Sequence, residues 1–114
     1  MANAKLAYER YLQIFDGPDF ADQIARGAQT QRVLWASTST KNPAYSDVLY
    51  VEPLVGPRTV NTMPPATIDA YLDHGTADAS ALAAGTDHAH EDIAALGELG
   101  IDFAAVTAQL QTDG

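Results

Sequence analysis

Cysteine is absent from this 114-residue chain, which removes disulfides, thiolate nucleophiles and thiolate metal ligands together. Positive charge is scarce. Six Lys and Arg stand against fifteen Asp and Glu, for a formal net charge of −9. That sign opposes phosphate backbones and anionic membrane surfaces, so neither nucleic acid nor a membrane is an expected partner. No apolar run approaches the roughly 18 residues of a membrane span. The opening run Met1-Ala2-Asn3-Ala4-Lys5-Leu6 lacks the continuous apolar centre of a signal peptide, and a cytoplasmic location is expected.

What is present is a globular composition, 46% hydrophobic, at the length of one ordinary domain. Ala4, Ala7, Tyr8, Tyr11, Leu12 and Phe15 fall on one helical stripe, which predicts an amphipathic helix of about four turns. It starts at the first residue with no cap, as though the chain were entered partway through an element. Asp16-Gly17-Pro18 breaks it, and 19–26 reads as a short second helix stopped by Gly27. Arg32 to Ala36 is a continuous apolar run, the pattern of a strand covered on both faces. Ser46-Asp47 is placed to cap a short helix through Val48–Val51, ended by Pro53, Gly56 and Pro57. A second strand follows over Thr59 to Met63. Pro65 suits the first turn of a helix that Gly75 stops. The stretch 76–86 reads as a loop with a marginal turn, and two further helices are expected near 88–99 and 102–111. Two strand-to-helix units in succession predict an α/β fold with parallel strands.

The loop after the first strand carries Ser37, Thr38, Ser39, Thr40, Lys41 and Asn42. Hydroxyls and an ammonium donate hydrogen bonds, and the ammonium adds charge, which suits an oxygen-rich anion. An ordinary polar surface loop closed by Asn-Pro would read the same way. The helix opening at Pro64-Pro65 could direct amides at an anion, but proline removes donors and a plain turn is favoured. Asp87-His88-Ala89-His90-Glu91-Asp92 has the composition of a metal cluster. At helical spacing, however, His88 and His90 point to different sides, so a solvated helix start is the better reading and no metal is expected. His74 reads as a C-terminal helix residue, favoured there when charged. Trp35, Tyr45, Tyr50 and Tyr71 are expected in the core. Lys41 lies in an exposed loop with nothing to depress its pKa, which argues against a Schiff-base role.

The runs Trp35-Ala36-Ser37-Thr38, Thr40-Lys41-Asn42-Pro43-Ala44-Tyr45-Ser46-Asp47 and Thr59-Val60-Asn61-Thr62-Met63-Pro64 resemble transaldolases of the long actinobacterial and cyanobacterial branch. The lead-in Ala2–Tyr8 and the ending Leu99-Gly100-Ile101-Asp102 with Val106-Thr107 fit the same resemblance, which covers nearly the whole chain. Transaldolases are (β/α)8 barrels that move a dihydroxyacetone unit between sugar phosphates in the pentose phosphate pathway, without a cofactor, through an imine on a strand-borne lysine.

The resemblance implies that 32–36 and 59–63 are the seventh and eighth strands, with a helical tail over 65–112. It makes Ser37 and Lys41 the substrate phosphate-binding pair, with Thr38, Asn42 and Asn61 as neighbours. A barrel of this type takes about 250 residues, so this chain would supply about a quarter of the strands. No motif like Ile-Lys-Ile-Pro-Ala-Thr occurs in the sequence. No catalytic residue is therefore assigned. The expected object is the C-terminal part of a transaldolase, inactive alone, whose partners are a sugar phosphate and the missing N-terminal part of the barrel. The competing expectation is a non-enzymatic α/β module that binds an anion or a protein partner.

Overall fold

The computed structural model describes all 114 residues. Helix α1 (Ala2–Phe15) is followed by α2 (Pro18–Ala25), strand β1 (Val33–Trp35), a 3₁₀ turn (Glu52–Leu54), strand β2 (Thr59–Asn61) and helix α3 (Pro65–His74). Helices α4 (Thr86–Glu98) and α5 (Phe103–Asp113) complete the chain. The two strands pair in parallel, Val33 opposite Thr59, Leu34 opposite Val60 and Trp35 opposite Asn61. The Thr62 amide extends the ladder by donating to the Trp35 carbonyl at 2.9 Å.

The tyrosine stripe of α1 forms the core. Tyr8 and Tyr11 are buried and stack with ring centroids 6.0 Å apart. Leu54 and Leu82 join them, with Ala4, Leu12, Phe15, Val33 and Trp35 packed around. Ala7, expected on the same stripe, is exposed. Each large apolar side chain removed from water contributes roughly 1.5–3 kcal/mol, so this small cluster is the main source of cohesion.

Four expectations are corrected. The run around β1 is not covered on both faces: Val33 and Trp35 lean on the α1 core, while Leu34 points the other way and is 56% exposed. Tyr45 and Tyr50 are exposed surface residues and not core. Trp35 and Tyr71 are half-buried, and Tyr71 Oη donates to the Thr76 carbonyl at 3.2 Å.

The predicted helix over 48–51 is a series of turns. Pro53 has no amide to continue an α-helix, and the amides of Leu49, Val51 and Leu54 each bond three residues back. Finally, 76–86 is more ordered than a loop with a marginal turn. Leu82 is fully buried, its amide donates to the Val55 carbonyl at 3.0 Å, and residues 79–85 form turns. Lys5 Nζ secures that segment by donating to the carbonyls of Ala81 and Ala84, both at 2.6 Å, and of Leu82 at 3.3 Å.

No single helix is long and apolar enough to cross a membrane. His88 pairs with Glu91 and His90 with Glu9, each at 2.9 Å, so the two imidazoles are drawn to different partners. No group of three His, Cys, Asp or Glu side chains converges as a metal set would.

Candidate functional site

Because β1 and β2 are parallel, their C-terminal ends open on the same edge, and the loops that follow meet there. The first loop leaves β1 through Ala36 and turns at Ser37, whose φ of +59° lies in the left-handed region. That conformation costs a residue with a Cβ on the order of 1 kcal/mol. Its effect is to send the chain sideways across the strand end. The second loop leaves β2 through Thr62, Met63 and Pro64.

A cleft of ≈ 390 Å³ lies between the two loops, lined by Ser37, Ser39, Lys41, Thr62, Met63 and Pro64. The paired strands thus bring together Ser37 and Lys41, the two residues singled out in the sequence. Lys41 is exposed and takes part in none of the ion pairs of the molecule. Four of the six residues lining the cleft, Ser37, Ser39, Lys41 and Thr62, carry polar side chains, and Met63 and Pro64 complete the wall.

The three neighbours have distinct positions. Thr38 is 3% exposed, and its Oγ1 donates to Asn61 Oδ1 at 2.7 Å. It stitches the first loop to the end of β2 and does not line the cleft. Asn61 is half-buried and occupied by that bond. Asn42 accepts from the Ala44 amide at 2.9 Å, an Asx turn that shapes the loop tip. Its side chain belongs to a second cleft of ≈ 470 Å³, lined by Thr40, Lys41, Asn42, Pro43, Tyr45, Ser46 and Asp47. Lys41 borders both clefts.

Sequence reasoning missed Thr62 as a lining residue, while Ser39 had been placed only within the polar loop as a whole. Thr62 was legible only as a strand member, and its Oγ1 donates back to the Trp35 carbonyl at 3.0 Å, so its oxygen sits at the strand end. Also missed was the link between Asp47 and α3. His74 Nε2 is 2.8 Å from Asp47 Oδ1, and its Nδ1 is 3.1 Å from Asp73 Oδ2. Asp47, then Asp73, hold the imidazole above its ordinary range, and His74 holds the Asp47 carboxyl below the ordinary carboxylate range.

The N-terminus of α3 contributes little to the cleft. Pro64 and Pro65 bring no N–H, and the amides of Thr67 and Ile68 both return to the Pro64 carbonyl. What the arrangement offers chemically is therefore one ammonium and several hydroxyls at one strand edge, donors whose chemistry suits an anion. No side chain here is placed as an activated nucleophile or as a base paired with one.

Comparison with known proteins agrees with the resemblance seen in the sequence. The family model described as Transaldolase/Fructose-6-phosphate aldolase matches residues 1–114. A Transaldolase of Neisseria meningitidis serogroup A is 50% identical over 114 residues, covering 100% of this chain and 32% of that protein. Transaldolase of Thiobacillus denitrificans is 49% identical over 100% of this chain and 32% of its own length. Transaldolase 1 of Streptomyces coelicolor is 47% identical, again over 100% of this chain and 30% of its own length. The chain thus spans roughly a third of the length of the curated relatives it matches. A family model that runs from the first residue to the last, and near-half identity over all of them, establish that this chain belongs to the transaldolase/fructose-6-phosphate aldolase family.

Proposed function

We propose that this chain forms the phosphate-binding part of a cytoplasmic transaldolase, with β1 and β2 as the seventh and eighth strands of a (β/α)8 barrel and 65–112 as its helical tail. In that reading the Lys41 ammonium and the Ser37 hydroxyl hold the phosphate of a sugar phosphate, while a dihydroxyacetone unit passes between substrates elsewhere in the barrel. Thr38 and Asn61 position the loop, and Asn42 shapes its tip. The observation that carries the reading is the cleft at the C-terminal ends of two parallel strands, the edge on which barrel enzymes carry their chemistry, with Ser37 and Lys41 both in its wall.

The transfer step needs a lysine that forms an imine with the ketose carbonyl. The sequence has two lysines, Lys5 and Lys41. The Lys5 ammonium donates to three backbone carbonyls, and Lys41 is exposed with nothing to desolvate it. Neither suits the role, so the imine belongs to a strand outside these 114 residues. The contribution of this chain is orientation: a clamped phosphate fixes where the reacting carbonyl stands, and such positioning is a large part of many rate enhancements.

The test is a titration with a ketose phosphate and with inorganic phosphate, followed by the amide resonances of Ser37 and Lys41. Each of Ser37→Ala and Lys41→Ala should weaken binding about tenfold, the scale of one charge-assisted hydrogen bond. Unchanged affinity in both variants would remove the reading.

A further inference from the structure

Lys41 and Asp47 line the same cleft, although five residues separate them in the chain. The loop is folded back between them: Thr40 Oγ1 donates to the Ser46 carbonyl at 2.9 Å, and Lys41 and Asp47 are the residues next to that clasp. A carboxylate lining the same cleft competes with a bound anion for the Lys41 ammonium. In the structure Asp47 is engaged elsewhere, with its Oδ1 on His74 Nε2 at 2.8 Å. We propose that His74 and Asp47 are positioning residues that set the anion affinity of Lys41: protonated His74 holds Asp47 toward α3 by a charge-assisted bond and leaves Lys41 free, while neutral His74, with one N–H shared between Asp47 and Asp73 and no charge, holds Asp47 more weakly and lets it compete for Lys41.

The inference rests on the phosphate reading of the Ser37–Lys41 cleft and adds its regulation. The charged groups that face the imidazole are Asp47 from the loop and Asp73 from its own helix. The nearby Glu52 is committed to the Thr76 amide at 2.8 Å. Both ring nitrogens point at carboxylate oxygens, so the doubly protonated ring satisfies two acceptors at once. Loss of one proton leaves one acceptor without a donor and removes the charge. Because the folded-state pKa is raised, the pairing is complete below the ordinary imidazole value and fades as pH rises through the raised one.

The experiment uses inorganic sulfate, whose charge is fixed between about pH 6 and 9. Its affinity is measured across that range in the wild type, His74→Gln, Asp47→Asn and Lys41→Ala, and the His74 ring protons are followed in parallel. Wild-type affinity should fall about two- to fivefold with rising pH, the scale of an exposed ion pair, with a midpoint matching the His74 titration. Asp47→Asn should be tight and flat, and His74→Gln weak and flat. A flat wild-type profile, or a wild-type slope retained in Asp47→Asn, overturns the coupling while leaving the phosphate site standing. Sulfate binding that is absent at every pH, or indifferent to Lys41→Ala, overturns both.

Discussion

Arg58 carries the second left-handed backbone of the chain outside glycine, with φ of +58° just before β2. What holds it there is a bidentate pair, Nη1 to Asp16 Oδ1 at 2.7 Å and Nη2 to Asp16 Oδ2 at 2.6 Å, with the guanidinium 5.2 Å from the centre of the Tyr11 ring. The pair ties the turn after α1 to the entry of β2. The Asp16 carboxyl is held below its ordinary range chiefly by the Arg58 hydrogen bonds. A depressed carboxylate contributes stability above its unfolded pKa, lost as pH falls through the lower folded value. Asp16→Asn should therefore be less stable than the wild type at neutral pH and converge with it in acid, as read by denaturant melts at several pH values. Parallel curves at all pH values would show that the pair contributes nothing. None of this was legible in the sequence, because Asp16 and Arg58 are 42 residues apart and each taken alone is an ordinary surface charge.

The helices and strands were legible where a periodic pattern was strong. The α1 stripe, the Gly17-Pro18 break and the two short strands fall within a residue or two of their expected places. The segment 76–86 was not legible, because its Ala, Gly, Ser and Asp composition hides one decisive residue, Leu82, which sequence spacing alone could not assign to the core. Its place depends on Gly56: a Cβ there would stand 2.8 Å from Leu82 Cβ and 2.9 Å from its Cδ2, closer than packed carbons allow. Gly56→Ala should therefore cost about 1–3 kcal/mol as an overpacking change, read by chemical denaturation. An unchanged midpoint would mean that Leu82 is not fixed against that turn. The candidate site divides the same way. Ser37 and Lys41 came from a local motif, whereas Thr62 and the His74–Asp47 link came from elements that only the fold brings together.

Across the whole molecule, burial is thin. Nine of 114 residues are buried, and the radius of gyration of 16.4 Å exceeds the roughly 13 Å of a compact domain this long. Leu34, Leu72, Leu99 and Leu110 are each more than half exposed, a large apolar surface for so small a core. On the proposed function, the 114-residue chain alone should bind a hydrophobic dye, melt broadly at low denaturant and show no transfer of a dihydroxyacetone unit. Co-expression with a polypeptide carrying the other strands and their lysine should restore turnover. A cooperative, monomeric melt of the chain alone would argue instead for an independent binding module. The Thr38–Asn61 bond bears on how such an assembly would proceed. Ser37, Lys41 and Thr62 all belong to one polypeptide, and that buried bond fastens their two loops to each other. In the proposed assembly the two loops would therefore meet without help from a companion, and ligand capture and docking would be free to occur in either order.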